Sequence, residues 1–487
     1  MSDTIGSGSG TSQTFGNSSV GSGGRLFQGI VKETSICTPS PTILIPFSRD
    51  ADFVQRGEIM DRLHQRRAQS FSRTALVGLG GVGKSQLAIE YAYQVRERSP
   101  ETWVFWIFAD TARRFEMDFQ NIATYARLPG QHSPRADVLQ LVTNWLVSES
   151  SGEWVIILDN VDSADFMIDS TQSPHPNRPH LVSYLPSCEK GSILVTSRNK
   201  NATLKLVELR NIIQVDPMSQ EEAVALAEKK LGKSDDKMKC LADSLEYVPL
   251  AIVQAAAYIT RLASLCSVNQ YLERFAQSDH DKASLLNFEG GQLRRDPEAK
   301  NSIIITWQLM FDHIHRTRPS AAHLLSYMSV FNSQLIVIDM LRPPVFQSQR
   351  PTVAKCCPLH NMCKSSKMGF SEEDILHLAD CSLISTRPDG QWVQMHSLVQ
   401  LATRRWLQAA GDRGFDLWQD YLFIVCTAYC RSVLIPPPCS LLGCLRTYAI
   451  PARKGNRFQQ SMVLEWLKTS RTLHQPSQMT KSVSWHG

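Results

Sequence analysis

Long apolar runs are missing from this sequence. The two longest, residues 250–259 and 422–435, are short or interrupted by Arg431, whereas a membrane-spanning helix needs about 20 apolar residues. The N-terminus also lacks the basic start and apolar stretch of a secretory signal. We therefore expect neither a transmembrane segment nor secretion.

Cysteine is sparse, with 12 residues in 487. That density is too low for a disulfide scaffold, and it is typical of a protein of the reducing cytoplasm. The remaining composition, 43% hydrophobic and 20% charged, excludes collagen-like, coiled-coil and wholly disordered chains. The length allows roughly three domains.

Neither sign of charge is in large excess outside the C-terminal part of the sequence. The net charge is +5, and residues 431–487 hold eight Lys or Arg against one Glu, a net charge of +7 that leaves −2 for the rest. Nucleic-acid binding by the whole surface is therefore not expected, because it requires a basic folded face.

The first 44 residues form a predicted disordered leader. Residues 1–24 are mostly Gly, Ser and Thr, and Asp3 is their one charge, so they cannot bury enough apolar surface to fold. Gln13, Phe15 and Asn17 leave open a second interpretation, a short polar segment that assembles into cross-β structure.

Residues 45–215 alternate between apolar β-branched segments and segments of helical period. This pattern predicts an α/β domain, a parallel sheet with helices on both faces, which binds ligands at the carboxyl ends of its strands. The predicted strands are 74–78, 102–108, 154–158 and 192–196, and the predicted helices are 84–98, 115–126 and 135–148.

Two further domains are predicted after the sheet. Residues 216–300 are helical, with helices at 219–231, 238–245 and 249–263. Residues 301–410 combine helices, including 371–380, with a hairpin of strands 383–387 and 392–395 around the turn Pro388-Asp389-Gly390, which indicates a winged-helix-like domain. A basic tail without detectable repeats, 411–487, follows.

A phosphate-binding loop lies between the first predicted strand and helix. Its glycines let backbone N–H groups surround phosphate oxygens, the lysine reaches the β- and γ-phosphates, and the serine binds magnesium. The motif runs Gly78-Leu79-Gly80-Gly81-Val82-Gly83-Lys84-Ser85. A glycine-rich turn that merely begins a helix is the structural alternative.

Two other strands end in polar residues at the same predicted sheet edge. The strand 154–158 leads into Asp159, which is typical of a Walker B magnesium carboxylate, although Asp159-Asn160 also suits an Asx turn. Arg198 follows the strand 192–196, where its guanidinium can contact a γ-phosphate or simply be solvated.

In their order along the chain, these motifs resemble the NB-ARC module of STAND-class signalling ATPases, and fungal NOD-like receptors in particular. The resemblance covers about residues 45–410. The residues that carry it, besides the phosphate-binding loop, are Phe53-Val54-Gln55-Arg56, Leu158-Asp159-Asn160, Thr196-Ser197-Arg198, Pro249-Leu250 and Met395-His396.

The resemblance implies several nucleotide contacts. Phe53 and Val54 would line the adenine pocket, Arg56 would lie near the nucleotide, Pro249 would pack against adenine, and His396 would reach the β-phosphate of ADP and hold the module closed. The residues alone leave other roles open: a core pair for Phe53 and Val54, a first helical residue for Pro249, and a core or surface histidine for His396.

The sequence departs from the family at the second Walker B position. Many relatives have an acid after the aspartate, whereas Asn160 follows Asp159 here, and a carboxamide cannot accept a proton. Asp162 is the nearest later acid, so we expect Asp159 and Asp162 to serve catalysis in, at most, a slow regulatory ATPase.

An irregular insertion is predicted at 342–368. It contains Cys356, Cys357, His360 and Cys363, three to four possible zinc ligands within eight residues. A basic insertion or an imperfect gene model is the other interpretation. The expected tetratricopeptide repeats are also not detectable in 431–487.

The sequence therefore predicts a cytoplasmic switch that binds ATP or ADP with Mg²⁺. The ATP form would assemble into a homo-oligomer and contact protein partners through the N-terminal segment, in fungal non-self recognition or regulated cell death by the resemblance. The alternatives are a P-loop ATPase whose output is chemistry and a nucleic-acid-binding regulator of the same class.

Overall fold

The chain is described by a computed structural model over residues 40–69, 71–133, 136–163, 165–168, 179–263, 266–288, 302–329, 331, 336–341, 370–387 and 390–409. The elements below all belong to the unit Pro41–Gly487. Nearly all of the predicted leader, the insertion at 342–368 with its cysteines and His360, the turn residues Pro388 and Asp389, and the tail at 411–487 lie outside the described residues.

A parallel six-stranded sheet forms the first region, as predicted. Its strands are β1 Ile43–Leu44, β2 Arg73–Val77, β3 Trp103–Phe108, β4 Trp154–Asp159, β5 Gly191–Ser197 and β6 Ile212–Gln214, in the order β1-β3-β4-β5-β2-β6. β1 and β6 were not predicted, because two or three residues are too few to show a strand period.

Side chains from both faces of this sheet are buried. In β4, Val155 and Ile157 pack into one hydrophobic cluster, and Trp154, Ile156 and Leu158 pack into another. A strand buried on both faces needs the continuous apolar sequence seen here.

The α-helices of this region are α1 Gly57–Arg67, α2 Lys84–Arg98, α3 Ala112–Tyr125, α4 Val138–Val147, α5 Asp165–Ile168 and α6 Lys200–Leu204. Short 3₁₀ turns lie at Glu149–Ser151, Leu181–Tyr184 and Leu209–Asn211.

The second region is helical, as predicted. Its helices are α7 Gln220–Leu231, α8 Met238–Ser244, α9 Pro249–Arg261, α10 Val268–Gln277 and α11 Asp279–Leu286. A capping box fixes the start of α7: Glu222 N–H donates to Ser219 Oγ at 3.2 Å, and Ser219 N–H donates to the Glu222 carboxylate at 2.9 Å. Pro249 occupies the first turn of α9.

The third region contains α12 Ile303–Thr317, α13 Pro319–Met328, α14 Ile338–Leu341, α15 Glu372–Asp380 and α16 Ser397–Ala409. The predicted hairpin is present, as β8 Ile384–Thr386 and β9 Trp392–Met395 pair antiparallel. A third strand, β7 Ile336–Val337, pairs with β9 and was not predicted. None of the helices within the described ranges is both long and apolar enough to cross a membrane.

Candidate functional site

The loop between β2 and α2 has a backbone that requires glycine. Gly81 and Gly83 have φ values of 93° and 95°, in the left-handed region that other residues rarely adopt. A Cβ atom on Gly78 would lie 2.2 Å from the carbonyl oxygen of Val215. The glycines of the motif therefore set the loop's shape.

Two later helices hold this loop by its carbonyl groups. The backbone N–H of Leu250 in α9 donates to Gly81 O at 3.1 Å. The indole N–H of Trp307 in α12 donates to Gly80 O, also at 3.1 Å. The phosphate-binding loop is thus bonded to both regions that follow the sheet.

Lys84 is buried and points its ammonium group at the same loop. Its Nζ donates to Gly78 O at 2.7 Å and to Leu79 O at 3.0 Å. Burial lowers the pKa of Lys84 to about 7, since a desolvated ammonium is costly. A buried lysine beside a glycine-rich loop at the start of a helix fits an anionic ligand such as a polyphosphate.

Ser85 and Asp159 form the pair predicted to bind magnesium. Ser85 Oγ donates to Asp159 Oδ1 at 2.8 Å, and Thr196 Oγ1 of β5 donates to the same oxygen at 2.5 Å. Burial raises the pKa of Asp159. A hydroxyl and a carboxylate are the oxygen donors that Mg²⁺ prefers, so the residues fit that ion, which would supply charge neutralisation for phosphate oxygens.

Arg198 and Asp162 are bonded to each other. Arg198 donates to Asp162 from its backbone N–H and from Nε, both at 2.7 Å. Burial favours a raised pKa for Asp162, but the charge and hydrogen bonds of Arg198 outweigh it and hold the pKa below its usual range. Arg198 Nη1 also donates to Thr306 O of α12 at 3.4 Å. Both groups lie at the expected sheet edge, and Asp162 is already paired with the guanidinium of Arg198.

These side chains surround one cavity of about 610 Å³, within the range of small-molecule sites. All three regions line it: the sheet domain, α9 through Pro249 and Val253, and the third region through Met310 and Cys381. The predicted site residues among its lining are Gly80, Gly81, Gly83, Lys84, Ser85, Asp159, Asp162, Arg198 and Pro249.

Six predicted residues are not part of this lining, namely Phe53, Val54, Arg56, Gly78, Val82 and His396. Phe53 and Val54 are partly buried against the main hydrophobic cluster. Arg56 precedes α1 and donates to Asp216 O at 3.0 Å and Pro217 O at 3.2 Å. Together with Val82, which is buried in the loop, they do not contribute to the cavity lining as the structure describes it. Their roles toward the nucleotide stay predictions.

His396 lies beside a carboxylate of the helical region. Its Nδ1 is 2.5 Å from Glu246 Oε2, and Ser397 N–H at the start of α16 donates to both oxygens of Glu246 at 3.0 Å. Glu246 and Tyr247 have φ values of 51° and 58°, a strained turn that sets the carboxylate there. The contact of His396 with a β-phosphate stays a prediction.

Several cavity residues were not predicted from the sequence. Asp110 and Arg114 follow β3 and line the cavity, as do His313 and Cys381 of the third region. A polar residue directly after an apolar strand, Ala109-Asp110, was a detectable signal for the first of them. The third-region residues have no such local signal, because only the packing of α12 and α15 brings them to the site.

Comparison with known proteins gives a sequence relative with high similarity. A nucleotide-binding leucine-rich repeat (NLR)-like protein of Hyaloscypha variabilis is 32% identical over 385 residues, which are 76% of this chain and 36% of the relative. This chain thus spans about a third of the length of that relative. No protein-family profile matches this chain.

Two solved structures align with this chain at low sequence identity. A Walker-type ATPase of Pyrococcus abyssi aligns with a TM-score of 0.47 at 12% identity, covering 74% of this chain and 99% of that protein. A signal transduction ATPase with numerous domains (STAND) and a tetratricopeptide repeat sensor, of Pyrococcus horikoshii, aligns with a TM-score of 0.30 at 15% identity, covering 88% and 54%.

Proposed function

Because this chain is related to NLR-like proteins and carries a P-loop NTPase domain of the NB-ARC type, we propose that it is an ATP/ADP-binding switch in signal transduction. The observation that carries the proposal is the cavity lined by all three regions. A ligand in such a cavity contacts every region at once, so two ligands that differ by one phosphate can favour different arrangements of the regions.

The ADP state is the closed one in this proposal. Lys84 and the loop N–H groups hold the diphosphate, Ser85 and Asp159 hold Mg²⁺, and Pro249 packs beside the base. The hydrogen bonds from Leu250 and Trp307 to the loop carbonyls, each 3.1 Å long, keep α9 and α12 docked on the loop. The pair of His396 and Glu246 adds a contact between the helical region and α16.

Arg198 is the residue through which a γ-phosphate would change this arrangement. It bonds Asp162 and the carbonyl of Thr306 in α12. A γ-phosphate offers the guanidinium a forked, charge-assisted contact, and it would compete with the Thr306 carbonyl. The loss of that bond in the ATP state would weaken the attachment of α12.

Detachment of α12 in the ATP state would then allow copies of the protein to associate. We propose that the ATP form associates into a homo-oligomer in the cytoplasm and brings N-terminal segments together to bind protein partners, in non-self recognition or regulated cell death. Slow hydrolysis would return the protein to the closed state, as a regulatory step and not as its output.

Light scattering and hydrogen exchange test the switch. With ADP, the protein should be monomeric with α12 protected; with a non-hydrolysable ATP analogue, it should oligomerise and α12 should exchange faster. Arg198→Gln should remove the difference between the nucleotides. Arg210→Gln, which neutralises the exposed Arg210, should keep it. Equal exchange and mass with both nucleotides in the wild type would contradict the proposal.

A further inference from the structure

We infer that Asp110 is the general base that accepts the proton of the attacking water when this protein hydrolyses ATP. The inference rests on the proposed function and assigns a role that Asn160 cannot fill. In the described part of the chain, three carboxylates line the cavity: Asp110, Asp159 and Asp162.

Two of these carboxylates, Asp159 and Asp162, already accept hydrogen bonds from other residues. Asp159 Oδ1 accepts from Ser85 and Thr196, and its place beside Ser85 is that of a magnesium ligand. Asp162 accepts from the Arg198 backbone N–H and Nε at 2.7 Å. A carboxylate that accepts both a backbone N–H and a charged guanidinium is a weak base. Neither group is well suited to take a proton from water.

Asp110 reaches the same site from the neighbouring strand. β3 pairs with β4 so that Phe108 lies opposite Asp159, and Ala109 N–H donates to Asp159 O at 2.8 Å. The next residue, Asp110, therefore leaves the sheet beside the Walker B carboxylate. Its side chain is 37% exposed, which gives water direct access.

The partner of Asp110 is an arginine on the first turn of α3. Arg114 Nη1 donates to Asp110 Oδ2 at 2.8 Å, and its guanidinium lies 3.8 Å from the centre of the Phe108 ring. Partly exposed pairs of this i,i+4 kind are weak. The arginine thus orients the carboxylate and leaves its other oxygen able to accept a proton.

The step balances with ATP and one water. The water oxygen forms a bond to the terminal phosphorus, the bond from that phosphorus to the bridging oxygen of ADP breaks, and the water proton goes to the Asp110 carboxylate and then to solvent. ADP and inorganic phosphate are the products. General-base catalysis by a placed carboxylate is commonly worth about 10²–10⁴-fold in rate.

The test compares Asp110→Asn with the wild type in single-turnover hydrolysis and in the nucleotide retained after purification. We expect hydrolysis to fall about 100-fold or more and the variant to retain ATP where the wild type retains ADP. Affinity for a non-hydrolysable ATP analogue should stay unchanged, and Asp110→Glu should recover part of the rate.

Glu101→Gln is the matched control. It removes the same charge at the other end of β3, where Glu101 is exposed, and it should hydrolyse ATP as the wild type does. Wild-type hydrolysis in Asp110→Asn, or ADP as its retained nucleotide, would overturn the inference. A wild type that binds ATP without cleaving it would overturn it too. A wild type that binds no nucleotide contradicts the proposed function itself.

Discussion

Trp307 donates its indole N–H to the carbonyl oxygen of Gly80, 3.1 Å away. The tryptophan is fully buried and lies 227 residues after the glycine in sequence. This bond joins α12 directly to the phosphate-binding loop, so the backbone around a phosphate and the docking of the third region share one contact.

Trp307→Phe should speed nucleotide release. The change keeps most of the buried volume but leaves the Gly80 carbonyl without its donor, which costs about 1 kcal/mol in unfolding free energy. Urea unfolding and the release rate of a fluorescent ADP analogue measure the two effects. Trp406→Phe is the matched control, because Trp406 of α16 donates from Nε1 to Asp312 of α12, the helix that also carries Trp307, at 2.7 Å. It should lose similar stability and release nucleotide as the wild type does.

Nucleotide binding should take up a proton. The pKa of Lys84 is lowered to about 7 by burial, and a bound phosphate favours the charged form, so binding raises this pKa. Above pH 7, affinity for ADP should therefore fall by up to about tenfold per pH unit. Calorimetry at pH 8 in two buffers of different ionisation enthalpy measures the uptake. Lys84→Met should show none, and an absence of uptake in the wild type would refute a neutral Lys84 in the empty site.

The same lysine affects the stability of the nucleotide-free protein. Because its folded pKa lies below the unfolded value of 10.5, the unfolded state binds more protons between about pH 7 and 10.5, and stability rises with pH in that window. Denaturant titrations at several pH values should show this slope in the wild type. It should be smaller in Lys84→Met.

Glu246→Gln should weaken the attachment of α16. Burial favours a raised pKa for Glu246, but hydrogen bonds from His396 and Ser397 and the charge of His396 lower it. A lowered carboxylate pKa contributes stability above the unfolded value that is lost as pH falls through the folded pKa. We expect a loss of about 1–2 kcal/mol near neutral pH and a weaker acid dependence. Glu273→Gln, at an exposed acid, should change neither.

Motif residues were predictable because their spacing along the chain determines their geometry. Lys84 and Ser85 follow a glycine loop at the start of a helix, and Asp159 and Arg198 each end or follow an apolar strand; parallel strands then bring these ends together. Asp110 belonged to the same pattern, but its relevance depends on β3 pairing with β4, which a single sequence does not reveal.

Other parts of the site depend on tertiary packing. Two residues of α12, Thr306 and Trp307, lie more than 200 residues after the loop in sequence. Cys381, after α15, lies nearly 300 residues after it. The pairing of His396 with Glu246 likewise depends on a turn with positive φ at Glu246, a conformation that a glutamate does not announce in sequence.

The nucleotide retained by the purified protein tests the central claim most directly. Denaturing release and chromatography should find near-stoichiometric ADP in the wild type and none in Lys84→Ala, with Lys205→Ala, a change at an exposed lysine paired with Asp165, retaining ADP as the wild type does. A folded wild type without nucleotide, even after incubation with ADP and Mg²⁺, would contradict a switch built on this cavity.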